Sequence, residues 1–326
     1  MYQKLNYSLR TPSETECDNL RAHKVSLLPL MESDTKSCDA MFGDWVTSAA
    51  NYNRPNEAPR IVSEALRHEY TLLGMVAWRD WYFNEVVFVK DDEGKSVWSR
   101  SYFDQMTDAL TLSPMLRVCQ EPVMVERCWA YSDSGELHYA NVLHAMRHVV
   151  LRDARVAVVG TQIPWVEAIA LHLGAKQVVT FEYRELELQH PNIQVLHPIR
   201  AAKTWRSIEP FDHIVVFSSI EHSGLGRYSD PLGPWDDLVE LRKLHCLLKP
   251  RGLLLLGLPI SKDRVNFNAA REYGAIRLPL LFAVGFELVH FYANTQDRDD
   301  VSQLTVAVTE DYGKQPVMVM RKTVWT

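Results

Sequence analysis

Hydrophobic and polar positions follow two regimes along the chain. From Glu136 onward, short apolar runs alternate with amphipathic stretches, which predicts strands alternating with helices in a parallel sheet with crossovers. Arg155–Val159, Gln177–Phe181, Asn192–Leu196, Asp212–Phe217 and Leu253–Leu258 are the expected first to fifth strands. Asn141–Val150 is expected to be a short helix before them. Pro164–Leu173 places Val166, Ile169, Ala170 and Leu173 on one face, with Pro in its first turn and Gly174 past its end. Trp235–Leu248 aligns Leu238, Leu241, His245 and Leu248 in one stripe. Ala269–Ala283 is expected to be helical, Phe286–Tyr292 and Pro316–Arg321 to be late strands, and Leu304–Val308 is a further strand candidate.

Residues 1–135 lack this alternation. Polar helical pieces near 35–50 and 60–73 precede an aromatic segment that runs from Trp78 to Phe103. Within it Tyr82–Lys90 alternates, and Asp91-Asp92-Glu93-Gly94 signals a turn before Ser96–Tyr102, which predicts a hairpin. The expected organisation is therefore an N-terminal helical and aromatic lobe over 1–135 and an α/β domain over 136–326. The aromatic cluster admits two readings: a small core or lid packed on the main domain, or a substrate-facing wall that stacks on a planar or sugar ring.

Composition narrows the partners. With 47% hydrophobic and 23% charged residues in 326, the chain is an ordinary globular one. A net charge of −6 tilts against a nucleic-acid backbone. The five scattered cysteines show no metal-type spacing and are expected to be reduced thiols in a cytosolic setting. The N-terminal stretch lacks the apolar core of a signal peptide, and no run approaches membrane-spanning length, so a cytoplasmic protein without a membrane span is expected.

Candidate chemistry lies at the strand ends, where open α/β sheets hold ligands. The first strand ends in Val159-Gly160-Thr161-Gln162-Ile163-Pro164-Trp165. A dinucleotide site takes three glycines there, and Gln162 and Trp165 stand where two of them would be, which disfavours NAD and FAD. The second strand ends in Phe181-Glu182-Tyr183, and an acid in this place suits ribose hydroxyls. A nucleoside ligand without a diphosphate meets both conditions, and S-adenosylmethionine is such a ligand. The rival reading is a tight turn at Gly160 and a solvated charge at Glu182.

The fourth strand ends in Ser218-Ser219-Ile220-Glu221-His222. His222, oriented by Glu221, is the available base, and its rival role is a structural hydrogen bond. Ser218 and Ser219 suit the cofactor's methionine portion or a turn. Arg227 and Tyr228, in a Gly- and Pro-broken loop, suit an acceptor or a packing contact with the N-terminal lobe. Asp236 and Asp237 fit helix-dipole compensation in full. His222 with Asp230 or Asp237 gives no specific metal spacing, so no metal is expected.

Residues 150–322 resemble the class I S-adenosylmethionine-dependent methyltransferases. The matching pieces are the first strand with Gly160, Glu182, Phe211-Asp212 opening the fourth strand, Glu221-His222 after it, and Leu248-Lys249-Pro250-Arg251-Gly252 before the fifth. Arg251 stands where that family commonly has glycine. More narrowly, Pro164-Trp165-Val166-Glu167-Ala168 and Ser218 to Tyr228 look like an uncharacterised domain-of-unknown-function family described from nematodes. The resemblance implies a Rossmann-like sheet of order 3-2-1-4-5-7-6. It also implies S-adenosylmethionine held by Gly160, Thr161, Gln162, Pro164, Trp165, Glu182, Tyr183, Ser218 and Ser219. The expected function is O-methylation of a small or carbohydrate-type acceptor. The alternative is a non-catalytic binding protein that kept the fold.

Overall fold

The computed structural model describes residues 37–49, 57–84, 96–112, 135–293 and 315–323. The chain first forms α1 (Cys38–Ala49), α2 (Glu64–Tyr70), β1 (Ala77–Asp80), β2 (Ser96–Trp98), α3 (Arg100–Leu112) and α4 (Gly135–His148). Then come β3 (Arg155–Val159), α5 (Trp165–His172), β4 (Gln177–Phe181), β5 (Leu186–Leu188), β6 (Ile193–Leu196), α6 (Pro198–Lys203) and β7 (Phe211–Phe217). The last part holds α7 (Asp236–Leu247), β8 (Leu248–Gly257), β9 (Arg264–Phe267), β10 (Ala270–Glu272), α8 (Leu278–Ala283), β11 (Phe286–Tyr292) and β12 (Val317–Lys322).

Seven strands form the central sheet in the spatial order β6-β4-β3-β7-β8-β12-β11. Counted along the chain within this sheet, that is 3-2-1-4-5-7-6. Only β12 runs antiparallel to its neighbours, β8 and β11. Both faces of the sheet are covered, which explains why β3, β7 and β8 are near-continuous apolar runs rather than alternating ones. Side chains of α3, α4 and α5 form the core on one face. Side chains of α1, α6, α7 and α8 form it on the other. Arg251, in the turn that the resemblance gives to glycine, adopts a left-handed φ of 62°.

Several expectations need correction. Ala269–Ala283 is not one helix: β10 pairs antiparallel with β9, and only Leu278–Ala283 is helical. Arg271 and Tyr273 bond to loops and side chains elsewhere, and their polar groups gave this segment its amphipathic look. β2, in the second arm of the expected hairpin, pairs in parallel with β5; most of the first arm and the turn lie outside the described residues, as does Leu304–Val308.

α1 lies on α6 and α7, while α3 packs on α5. β1 adds in parallel to β9, making a three-stranded side sheet β1-β9-β10. Finally, the cysteines are not all free thiols: Cys38 of α1 is disulfide-bonded to Cys246 of α7. That pair removes the support for a reducing compartment. No helix among the described residues is long and apolar enough to cross a membrane.

Candidate ligand crevice

The sheet reverses direction between β3 and β7, and the loops after these two strands flank one crevice. Gly160 ends β3 with a φ of +74°, a left-handed conformation. A Cβ built on it would lie 2.5 Å from Ser219 Oγ, so the two loops meet at this point and glycine is required. Gln162 is exposed at the mouth, whereas Thr161, Pro164 and Trp165 are buried. Trp165 packs edge-on against Phe217, with ring centroids 5.5 Å apart. A small pocket lined by Gly160, Thr161, Gln162, Ile163, Trp165 and Phe217 opens beside them.

Glu182 follows β4 and is half-buried. Its Oε2 accepts from the Thr161 backbone N–H at 2.8 Å. Its Oε1 accepts from the N–H groups of Tyr183 and Arg184 at 2.8 and 3.0 Å. A carboxylate offers about four acceptor sites. Three are occupied, so Glu182 has room for one ligand hydroxyl and not for two. Tyr183 is exposed and meets His197 edge-on at 5.4 Å. His197 ends β6, caps α6 through Ile199 N–H, and completes the row of strand ends on this side. His197-Pro198 directly after the third apolar run was the sequence signal for it.

Behind the first loop lies Glu167, an acid inside the otherwise apolar turn Trp165–Leu171. It is fully buried, and its Oε1 accepts from Thr161 Oγ1 at 2.6 Å and Thr180 Oγ1 at 2.8 Å. Its other oxygen has no hydrogen-bond partner. Loss of water pushes this carboxyl up to about 7, against the pull of its two threonine donors.

The second loop is held differently. Ser218 has a φ of 49°, uncommon for a residue with a side chain. Its Oγ donates to Glu221 Oε1 at 2.8 Å and accepts from Gln315 Nε2 at 3.1 Å. Glu221 is fully buried, and burial pushes its carboxyl up to about 7. His222 Nδ1 lies 2.6 Å from the Ala269 carbonyl, and Arg227 Nη1 stands 3.3 Å from the same nitrogen. Burial, with the Arg227 charge beside it, pushes the imidazole down to about 3. A histidine bound in this way stays neutral and is a poor proton acceptor, so its geometry suits the structural hydrogen bond better than the base. Tyr228 meets His222 edge-on at 5.6 Å, and Arg227 also stacks over Tyr228.

Asp237 does more than compensate a helix dipole. Asp237 is fully buried and accepts from Arg277 Nη2 at 2.8 and 2.9 Å and from Tyr273 Oη at 3.0 Å. Burial alone would raise its carboxyl, but the Arg271 and Arg277 charges hold it below the usual range. Arg271, also fully buried, donates to the carbonyls of Glu221, Ser223, Gly233 and Pro234. Tyr70 of α2 donates to the Gly224 carbonyl. Asp230 accepts from the N–H groups of Gly226 and Tyr228, so its carboxylate serves the loop. No cluster of three or more metal-ligating side chains occurs among the described residues.

A family model described as "Caenorhabditis protein of unknown function, DUF268" matches residues 153–323. The chain belongs to this family. In the DUF268 chain the match spans the whole crevice, from β3 to the end of β12. No curated protein sequence matches the DUF268 chain. Among solved structures it is similar to the 1,6-didemethyltoxoflavin-N1-methyltransferase of Burkholderia thailandensis with bound 1,6-didemethyltoxoflavin and S-adenosylhomocysteine. That match has 18% identity and a TM-score of 0.38, covering 71% of this chain and 93% of the other. It is also similar to the CcbJ methyltransferase of Streptomyces caelestis, at 13% identity and a TM-score of 0.38, covering 57% and 89%. At such identities and scores these likenesses add nothing to what the strand order shows.

Proposed function

We propose that the crevice binds S-adenosylmethionine and that the chain is a methyltransferase, acting on a hydroxyl of a small or carbohydrate-type acceptor. The observation that carries this reading is Glu182. Its carboxylate closes the second strand of a 3-2-1-4-5-7-6 sheet, is anchored to the Gly160–Thr161 turn, and keeps one acceptor site for a ribose hydroxyl. Gly160 and Gln162 line the small pocket beside it, and Ser219 meets Gly160; Tyr183 and Ser218 are assigned to the same ligand. When bound, the sulfonium supplies a methyl electrophile, and the protein's work is alignment. Arg227 and Tyr228 stand on the acceptor side. His222 and Glu221 keep the loop in place; transfer of the methyl to the hydroxyl oxygen would release S-adenosylhomocysteine and pass the hydroxyl proton to water.

Titration calorimetry with S-adenosylhomocysteine tests this. Binding is expected in the native chain and a loss of about tenfold or more in Glu182→Ala, on the order of one charge-assisted hydrogen bond. Heat with NADH and none with S-adenosylhomocysteine would overturn the reading. The internally bonded, neutral His222 favours a second reading, a protein that binds the adenosyl ligand without turnover. Radiolabelled methyl transfer to a pool of hydroxylated acceptors separates the two.

A further inference from the structure

The strand β1 continues into a stretch whose exposed side chains form a ladder of cations and rings. Trp81 and Phe83 are 46% and 50% exposed, although most aromatic side chains among the described residues are buried. Their ring centroids lie 6.5 Å apart at an interplanar angle of 61°. Arg79 stacks over Trp81 at 4.7 Å, and Arg227 stacks over Phe83 at 4.8 Å. The order is therefore Arg79, Trp81, Phe83, Arg227. The last member stands 3.3 Å from His222, in the loop that follows β7, so the ladder leads to the crevice. At Asn84 the chain is tied to the same side, its N–H donating to Asn268 Oδ1.

Stacking uses the face of a guanidinium and leaves the N–H donors on its edge. Among the described residues Arg79 has no acceptor on that edge and forms no ion pair; its ring contact is with Trp81. A planar fork of donors next to exposed rings suits a bidentate anion, such as a carboxylate, carried on an apolar frame. The 61° angle decides which frame. Two rings so inclined give a flat base no common platform, whereas a puckered saturated ring presents C–H groups in several directions. A nucleic acid is disfavoured also by the chain's net charge of −6.

We propose that Arg79, Trp81, Phe83 and Arg227 form the acceptor-binding wall and that it takes an acidic sugar, a pyranose bearing a carboxylate. This rests on the methyltransferase reading for its catalytic meaning, but the wall binds sugar whether or not methyl is transferred. The test is titration of the full chain with trigalacturonate, followed by calorimetry and tryptophan fluorescence, with neutral galactotriose as control and S-adenosylhomocysteine titrated separately. Trigalacturonate is expected to bind and to shift the Trp81 emission, with galactotriose about tenfold weaker. Arg79→Ala and Trp81→Ala are each expected to weaken trigalacturonate binding by about tenfold while binding of S-adenosylhomocysteine is unchanged. Both side chains are exposed, so the variants keep the fold, checked by an unchanged melting temperature. Failure to bind trigalacturonate, equal binding of galactotriose, or indifference to both substitutions would overturn the wall. Loss of S-adenosylhomocysteine binding in the native chain with trigalacturonate still bound would instead overturn the methyltransferase reading and leave the wall intact.

Discussion

The two loops that border the crevice are built in opposite ways. The first, Gly160 to Trp165, is short and takes its shape from neighbours in sequence and in the adjacent strand: a glycine at φ +74°, Glu182 on the Thr161 N–H, Glu167 on the Thr161 hydroxyl. The second, Ser218 to Trp235, is long and is held by residues from far away in the chain, namely Tyr70, Ala269, Arg271 and Gln315. The short loop is specified by residues close to it in the chain, and the long one by residues that reach it from far away.

That contrast can be broken most severely at Arg271. Arg271→Ala removes the donor for four loop carbonyls and leaves Asp237 with one buried cation instead of two. A loss of about 3–5 kcal/mol in denaturant unfolding is expected, as for other buried ion pairs broken on one side. Arg271→Lys is expected to recover little, because one ammonium cannot span the same carbonyls. A loss within 1 kcal/mol would show that the second loop holds itself.

The first loop should suffer a smaller and more local injury. Gly160→Ala sets a Cβ in a left-handed conformation and within 2.5 Å of Ser219 Oγ. The expected cost is roughly 1–3 kcal/mol, and Gly160→Ala with Ser219→Ala is expected to recover only the collision, since the backbone strain stays. Full recovery in the double variant would mean that the turn tolerates a side chain.

The mildest test uses pH. The Glu167 carboxyl rises from its ordinary value of 4.5 to about 7 on folding, so between these values the folded chain holds more protons than the unfolded one. Its contribution to stability is present in full below about 4.5 and is lost as the pH rises through 7. Glu167→Gln is expected to flatten this fall, gaining roughly 1–3 kcal/mol at pH 8 relative to the native chain. The His222 imidazole, pushed down to about 3, acts in the other direction: it adds stability as the pH rises from 3 to its ordinary value. An unaltered pH profile in the Gln variant would place the proton elsewhere.

The same division explains what the sequence made legible. The sheet strands β3, β4, β6, β7 and β8 are apolar runs bounded by turn residues, and their positions follow from local pattern. So do Gly160 and Glu182, each fixed by falling at a strand end. The side sheet was hidden because β9 pairs with β1, nearly two hundred residues earlier in the chain, and β10 only with β9. The buried roles of Asp237 and Arg277 were hidden for a similar reason. An acid in the first turn of a helix gives no sign that an arginine forty residues on will neutralise it. His222 was identified by residue type, whereas its chemistry depends on the Ala269 carbonyl, which no local window contains, and on the Arg227 side chain folding back onto it.

The Cys38–Cys246 bond makes a covalent ring of the chain between α1 and α7, with both flanks of the crevice inside it. A protease that nicks any peptide bond within that ring leaves two fragments on one molecule, separable only by a reductant. Limited digestion would therefore report a single band without thiol and two with it, which lets the integrity of the crosslink be followed apart from the integrity of the backbone.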